Sequence, residues 1–340
     1  MKTTSALLSV FAVLLAGCSS GGTNPADAGV VNYANWMSHY KAQLSGMNLK
    51  QIVLLGAHDS SSVDITASSP PCWGEVRSDP SEHIDAGPTP ANLENALTQS
   101  APILNQLQAG VRYLDLRVAL QDGGYYSEHM WLSTPFAGDG GILDQLGRFL
   151  SSNPDEIIII TTDTNHIYSD TTDGGMATID QTNAYFQMVQ NALPLVTAPQ
   201  AGADPTLVTL GSIWAGSGRI IYFGPPNIDS TLQQRVWVYD NSIDSKWQPD
   251  ASTPDELVQS LNANVIAGWE DGGSPAQLHV LQAMTNDHQK LINAPMTNAA
   301  IISQLGGAWA NVRINVVQVN DTMEAADAGI MPVLINRMIK

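Results

Sequence analysis

Basic residues are scarce in this sequence: 14 Lys and Arg stand against 32 Asp and Glu in 340 residues, a formal net charge of −18. Proteins that bind nucleic acid need clustered Lys and Arg to neutralise phosphates, so this balance excludes nucleic acid as a partner. It also argues against electrostatic recruitment to an anionic membrane surface. Hydrophobic residues make up 44% of the chain and charged residues only 14%, which is typical of a globular protein with a large core.

Cysteine and long apolar runs are also scarce. The apolar run at residues 6–16 is too short to span a bilayer and has the shape of a secretory signal. It leads into Leu15-Ala16-Gly17-Cys18, which resembles the bacterial lipobox, in which the cysteine is acylated. Once Cys18 is acylated, Cys72 is the remaining thiol, and this excludes an intramolecular disulfide.

The lipobox resemblance implies how the chain is organised. Residues 1–17 would be a lipoprotein signal peptide, the acylated Cys18 would anchor the protein in a membrane, and residues 18–32 would form a tether. Ser19 after the cysteine is similar to the outer-membrane sorting pattern, which implies the bacterial cell envelope on its periplasmic or surface face. Residues 33–340 are predicted to be one domain and a monomer.

Eight strand candidates, joined mostly by helical segments, favour an irregular (β/α)8 barrel of the TIM type, a fold that typically takes about 250 residues. The polar stretch 61–95 is long enough to be a lid or binding loop. The turn at Gly123-Gly124 is too short for a parallel crossover, so the barrel is expected to be irregular. The strand candidates are residues 51–55, 111–119, 125–132, 155–162, 219–224, 235–239, 279–285 and 314–321.

Polar side chains follow the ends of several of these strands. His58 and Asp59 follow the first, Asp115 and Arg117 lie on one face of the second by period two, His129 lies in the third, and Asp321 ends the eighth. Strand ends distant in sequence meet at one mouth of a barrel. Two histidines, an arginine and carboxylates suit phosphoryl transfer, in which one His removes a proton, the other donates one, and the Arg binds the phosphate.

The residues in these positions resemble a known family. Gly56-Ala57-His58-Asp59-Ser60 is similar to the Gly-Thr-His-Asp-Ser box that opens the X domain of phosphatidylinositol-specific phospholipases C. The similarity continues through Leu107-x-x-Gly110-Val-Arg-Tyr-Leu-Asp115-Leu-Arg117, a His twelve residues later, and Phe149-Leu-x-x-Asn-Pro154-x-Glu-Ile-Ile-Ile-Ile160. It covers residues 51–166, with a weaker match on the seventh and eighth strands.

The resemblance implies the following roles. His58 would be the general base towards the inositol 2-hydroxyl, and His129 the general acid towards the diacylglycerol oxygen. Asp59 and Arg117 would act on the phosphate of a phospholipid substrate, with Asp115 in support. Asp321 occupies the place of the carboxylate that orients the base.

Two further features of the sequence bear on the metal and on the head group. Arg117 stands where calcium-dependent members carry an acidic residue, which implies the bacterial, metal-independent type with no cofactor. Residues Asp163, Asn165 and His166 fall in the substrate-contacting ring but depart from the family pattern, and this leaves the choice of head group open.

Three other functions remain alternatives. A metal-dependent glycerophosphodiesterase-like barrel would lose activity on chelation. A non-catalytic surface binding protein could keep the same barrel. A serine hydrolase ranks last, because the sequence contains no G-x-S-x-G elbow.

Overall fold

The computed structural model describes residues 31–79, 88–163, 165–199, 203–240, 242–270 and 276–339, and two β-sheets organise them. Asn32–Lys340 forms one compact unit. The predicted signal peptide 1–17 and Cys18 lie outside the described residues. Within the described residues, no helix is long and apolar enough to cross a membrane. The strands are β1 Leu54–Ala57, β2 Tyr113–Asp115, β3 Val118–Gln121, β4 Gly124–His129, β5 Trp131–Pro135, β6 Ile158–Thr161, β7 Ile167–Ser169, β8 Ile220–Gly224, β9 Val236–Val238, β10 Ile243–Ser245, β11 Leu278–Gln282 and β12 Val316–Val319.

The larger sheet has eight strands in the order β10-β11-β12-β1-β2-β6-β8-β9, and every neighbouring pair is parallel. It curls into a half-barrel whose free edges are β9 and β10. The strands β1, β6, β8 and β12 are buried along their whole length, as expected for parallel strands covered by helices. The predicted α/β barrel fold is therefore confirmed.

The smaller sheet, in the order β5-β4-β3-β7, explains the irregularity that we predicted. The candidate 125–132 is mostly β4, which pairs antiparallel with β3 and β5 and therefore lies outside the barrel. The eighth strand of the larger sheet is therefore β10, which the sequence analysis did not predict. Its three residues, Ile243-Asp244-Ser245, carry no apolar run that would mark them as a buried strand.

Helices cover the connections. Thr253 caps the helix Pro254–Leu261 in a capping box with Glu256. The segment 61–95, predicted as a loop, contains two short helices, while residues 80–87 lie outside the described part. The helices are Trp36–His39, Lys41–Leu44, Trp73–Ser78, Pro90–Ala96, Ile103–Gln108, Ile142–Ser152, Ile179–Ala192, Leu210–Ala215, Pro254–Leu261, Ala267–Glu270, Lys290–Gly306, Thr322–Asp327 and Ile330–Met338, with 3-10 turns at Tyr33–Asn35 and Pro205–Leu207 and a π-turn at Asn262–Ile266.

Gly56 allows β1 to pack closely between its neighbours. A Cβ atom at this position would lie 2.6 Å from Val316 Cγ1 and 3.0 Å from Tyr113 Cδ1. Such contacts are too short, so a larger residue would push β12 or β2 away from β1.

A buried ion pair joins the residues that precede β2 and β6 to the N-terminal helices. Arg112 and Glu156 are fully buried, with Arg112 Nη2 2.6 Å and Nε 2.9 Å from Glu156 Oε2. The carboxylate also accepts hydrogen bonds from the backbone N–H groups of Met37 and Ser38, at 3.2 and 2.8 Å. Arg112 donates its remaining N–H groups to backbone carbonyls, so the charges are compensated on both sides.

We expect Glu156→Ala to lower the free energy of unfolding by about 3–5 kcal/mol, because it leaves the Arg112 guanidinium buried without its counter-charge. Its neighbour Asp155 provides a matched control. Asp155 pairs with Lys41 at 2.7 Å on a partly exposed surface, so Asp155→Ala should cost about 0–1 kcal/mol. Urea unfolding of both variants tests this, and equal losses would contradict the role assigned to the buried pair.

Candidate active site

The loop after β1 carries the first two predicted site residues, and the backbone of its neighbours holds it in place. The His58 N–H donates to Val319 O at 3.1 Å, which extends the pairing with β12 by one residue. Ser60 Oγ donates to Ala57 O at 2.9 Å and accepts from the Asp115 N–H at 2.8 Å. Between them Asp59 adopts a left-handed conformation with φ of 39°, which Asp tolerates better than most residues. The loop therefore presents both side chains from a fixed backbone.

Two side chains that the sequence analysis did not single out support this loop from outside. Thr98 Oγ1 donates to His58 O at 3.1 Å, and Gln99 Nε2 donates to the same carbonyl at 2.9 Å. The next helix begins only at Ile103, directly after Pro102. The extended residues before it are free to contact the β1 loop.

Asp59 lies at the centre of the site. Its Oδ2 atom is 3.3 Å from His58 Nε2 and 3.6 Å from His129 Nε2, and its Oδ1 atom is 2.8 Å from Arg117 Nε. One carboxylate oxygen thus faces the reactive nitrogens of both histidines, while the other binds the guanidinium. The structure brings together these four predicted residues, and Asp115 joins them through a hydrogen bond of 3.4 Å from the Asp59 N–H to its Oδ2.

His129 is supplied by the smaller sheet, at the end of β4. Its Nδ1–H donates to Ala96 O at 2.7 Å, which leaves Nε2 to carry the second proton. The two histidine rings are 6.5 Å apart between centroids. Both rings line the same cavity, so a base and an acid can act on one bound group.

The residue that orients His58 is Asn320, and this corrects our prediction of Asp321. Asn320 Oδ1 lies 2.9 Å from His58 Nδ1, and both groups are buried. The Asp321 carboxylate instead accepts from Ser100 Oγ at 2.6 Å and from the Glu324 N–H at 3.3 Å, where it caps the helix Thr322–Asp327. The left-handed φ of 47° at Asp321 turns the chain into that helix, so the preceding residue faces His58.

Burial and charge set the protonation states of the site. Burial lowers the pKa of His58 and lowers that of His129 well below its usual value, although Asp59 acts to raise both. Burial would raise the pKa of the Asp59 carboxyl, but the positive charge of Arg117 is the largest opposing effect, and the net pKa lies well below the usual range. Burial, followed by the charge of Asp59, raises the pKa of Asp115. The site therefore holds one firmly ionised carboxylate between two neutral imidazoles.

These residues open into a cavity of about 570 Å³. Of the predicted substrate-binding residues, Asp163 and His166 line it, with His166 Nδ1 3.6 Å from Asp163 Oδ2. Asn165 is exposed and is not among the residues that line this cavity. Sequence reasoning missed several of the lining side chains, among them Glu75, Tyr239, Trp247, Gln282 and Lys290.

Two of the missed residues lie close to the catalytic centre. Trp247, two residues after β10, stacks on His58 with centroids 6.0 Å apart and an interplanar angle of 16°. Lys290 begins the helix Lys290–Gly306, is buried, and adds a positive charge that acts on both histidines. No motif marks either residue, because Trp247 lies in the connection after β10 and Lys290 at the start of a helix, and both approach His58 only through tertiary contacts.

The acidic side of the cavity also has the chemistry of a cation site. Donor atoms of His58, Asp59 and Asp115 lie within 4.8 Å of one another. However, Arg117 Nε already binds Asp59 Oδ1 at 2.8 Å and supplies a positive charge there. A divalent ion would have to displace or oppose that guanidinium.

Comparisons with known proteins agree with the fold and with the boxes seen in the sequence. No protein-family model matches the chain. PI-PLC X domain-containing protein 2 from Mus musculus and its Homo sapiens counterpart are each 26% identical over 216 residues, or 61% of this chain. The match covers 58% and 64% of the length of these two relatives.

Solved structures show the same architecture. A phosphatidylinositol-specific phospholipase C from S. aureus superposes with a TM-score of 0.60 at 18% identity, over 87% of this chain and 97% of that protein. The phosphatidylinositol-specific phospholipase C from Listeria monocytogenes superposes at 0.56 and 17%, over 90% and 99%. At these identities the likeness shows the fold, and the sequence relatives share the X-domain region. Together, the sequence relatives and the structural neighbours support assignment of the chain to the PI-PLC X-domain family.

Proposed function

We propose that the protein cleaves phosphatidylinositol-type lipids by intramolecular attack, giving diacylglycerol and a cyclic inositol phosphate. The observation that carries this proposal is the position of Asp59, whose Oδ2 lies 3.3 and 3.6 Å from the Nε2 atoms of two histidines while its Oδ1 binds Arg117. A base, an acid and a phosphate-binding cation thus meet at one point. The structural neighbours are phospholipases C, which supports a phospholipase C-type enzyme, and we extend this to the lyase reaction that gives the cyclic product.

In this reaction His58 Nε2 takes the proton of the inositol 2-hydroxyl as its oxygen attacks phosphorus. Asn320 Oδ1 accepts from the Nδ1–H of His58 and so keeps Nε2 as the basic nitrogen. The phosphorus–oxygen bond to the glycerol breaks as His129 Nε2 donates its proton to the leaving oxygen. Arg117 stabilises the charge that develops on the phosphate, and Asp59 and Asp115 hold the cation and the histidines in place.

The bound substrate would bring a negative charge that favours the protonated form of His129. Burial and Lys290 favour the neutral form of His129, whereas a general acid must carry a proton. A phosphodiester anion bound beside Arg117 adds a negative charge within a few ångströms of both rings, which raises their pKa values. We therefore propose that His129 acquires its catalytic proton in the substrate complex.

The polar wall of the cavity suits a polyhydroxylated head group. Asp163 and His166 line the cavity, together with Gln282 at the end of β11 and Lys290 at the start of the helix Lys290–Gly306. Carboxylates and amides are good partners for sugar-like hydroxyls. We propose an inositol ring as the occupant, with Asp163 and His166 as its contacts.

A metal-dependent phosphodiesterase remains the second candidate, because His58, Asp59 and Asp115 bring three donor atoms within 4.8 Å of one another. We favour the metal-independent reaction, since the Arg117 guanidinium already neutralises Asp59. A non-catalytic binding protein is the third candidate, and a wild-type protein that binds the lipid but turns over none of the phosphodiesters tested would favour it.

We also propose, from the Leu15-Ala16-Gly17-Cys18 box, that acylated Cys18 holds a monomeric enzyme at the outer membrane of a bacterial cell envelope. A net charge of −18 gives the chain no general attraction to anionic lipid, so a covalent anchor would supply the membrane contact. Metabolic labelling with a radioactive fatty acid, lost in Cys18→Ala, tests this anchor.

The decisive experiment on function is phosphorus NMR of phosphatidylinositol vesicles incubated with the purified protein, with and without EDTA. A cyclic phosphodiester resonance that appears in both samples supports the proposed reaction. A product formed only without EDTA favours the metal-dependent candidate. Absence of any product from phosphatidylinositol, together with cleavage of another phosphodiester, would reject inositol as the head group.

A further inference from the structure

Two buried glutamates beside the active site have no part in the reaction described above. Glu75 lies in the helix Trp73–Ser78 and Glu128 in β4, and they are 7% and 0% exposed. Both converge on the backbone N–H of Met130, which lies 2.7 Å from Glu75 Oε2 and 3.2 Å from Glu128 Oε2. The other oxygen of Glu128 has no hydrogen-bond partner among the described residues.

Two carboxylates in this arrangement do not both ionise. One N–H donor cannot compensate two buried negative charges, and like charges this close drive one group to keep its proton. Burial, followed by the charge of Glu75, raises the pKa of Glu128 well above its usual value. Arg117 is the cation that acts on Glu128, and its effect on the Glu128 pKa is smaller than those of burial and Glu75.

We propose that Glu75 and Glu128 share one proton, and that this singly charged acid pair positions Arg117 and the turn that presents His129. The positioning part rests on the proposed function. Glu75 Oε1 lies 3.9 Å from Arg117 Nη1, on the side of the guanidinium away from its contact with Asp59. Met130, held by the pair, follows His129 directly and has a left-handed φ of 66°, a strained conformation for this residue.

The charged and titratable groups around the pair come from four elements. Arg117 follows β2, Asp59 lies in the loop after β1, Cys72 precedes the helix of Glu75, and Tyr168 lies in β7. Arg117 is their nearest cation. A pair with one negative charge gives Arg117 one counter-charge fewer than two ionised glutamates would.

The proton can be tested without substrate, through the pH dependence of stability. A glutamate has a pKa of about 4.3 when unfolded, and a raised folded pKa means that the stability it contributes falls as the pH rises above about 4.3. Glu128→Gln keeps a neutral donor and removes this dependence. The free energy of unfolding of the variant relative to the wild type should therefore rise as the pH increases above about 4.3, until the pH passes the raised pKa of Glu128.

Glu94→Gln, at an exposed position, controls for the loss of one carboxylate. If the difference in the free energy of unfolding between Glu128→Gln and wild type does not change with pH, or falls as the pH rises, proton sharing is overturned. The cluster also brings Cys72 Sγ and one oxygen of each glutamate within 4.8 Å of one another. Loss of stability on dialysis against EDTA, restored by zinc, would assign the pair to a metal ion and overturn the proposal in that way.

Positioning is tested separately by activity. Glu128→Leu cannot donate to Glu75 and is expected to lower kcat about 10- to 100-fold, whereas Glu128→Gln, which can donate, recovers most of that loss. Equal losses in both variants would overturn the positioning role while leaving the result of the stability experiment in place. If no variant and no wild type turns over phosphatidylinositol, the proposed function fails, and the shared proton stands or falls on the stability data alone.

Discussion

His129→Ala is expected to lose about 10²- to 10⁴-fold of its activity on phosphatidylinositol, but far less on a nitrophenyl ester of inositol 1-phosphate. The glycerol oxygen of the lipid is a poor leaving group and needs the proton that His129 Nε2 supplies. A nitrophenolate leaves without protonation, so it does not need a general acid. The selective recovery on the activated ester assigns the acid role to His129.

His58→Ala provides the contrast within the same site. The attacking hydroxyl needs a base whichever group leaves, so this variant should be inactive on both substrates. His39, exposed and remote from the cavity lining, offers a control in which a histidine is lost without effect on either reaction. Recovery of His58→Ala on the activated ester, or equal losses of His129→Ala on both, would contradict the assignment of base and acid.

The centre of this site could be predicted because it depends on local sequence and on one general rule. Buried apolar runs mark β1, β2 and β6, and the polar residues that follow such runs meet at one face of a parallel sheet. His58, Asp59, Asp115 and Arg117 follow two adjacent strands, and their convergence needs no knowledge of the loops. His129 was placed correctly at the site from its motif spacing, although its strand belongs to the other sheet.

The residues that were missed reach the site by tertiary contacts that leave no local pattern. The shift from Asp321 to Asn320 depends on one backbone angle at the start of a helix. Trp247 follows a three-residue strand without an apolar run, and Lys290 begins a helix whose sequence does not show which end faces the cavity. Glu75 lies in the segment 61–95, where the polar composition predicted only a loop.

The central position of Asp59 leads to a second large effect. Asp59→Asn keeps the size of the side chain but removes the charge that faces both histidines and Arg117, and we expect kcat/KM to fall roughly 10³- to 10⁴-fold, as for other triad-type carboxylates. The residual activity should also have a different pH profile. Asp59 raises the pKa values of His58 and His129, so its loss lowers both.

The direction of the shift follows from the two roles. The low-pH limb reports the base, which must be neutral, and the high-pH limb reports the acid, which must be protonated. Lower pKa values for both histidines move both limbs to lower pH. Asn320→Asp is the opposite change, because a carboxylate 2.9 Å from His58 Nδ1 favours the imidazolium. It should move the low-pH limb to higher pH.

The pair of variants distinguishes an electrostatic role of Asp59 from a purely structural one. If Asp59 only held the loop after β1, Asp59→Asn would lower kcat/KM without moving either limb, since the left-handed backbone at this position suits Asn as well as Asp. Movement of either limb to higher pH in Asp59→Asn would contradict the charges assigned here. Asn320 contacts His58 alone, whereas Asp59 contacts both rings. The low-pH limb should therefore shift in opposite directions in the two variants, and only Asp59→Asn should move the high-pH limb. This result would identify His58 as the base and His129 as the acid without any change to either histidine.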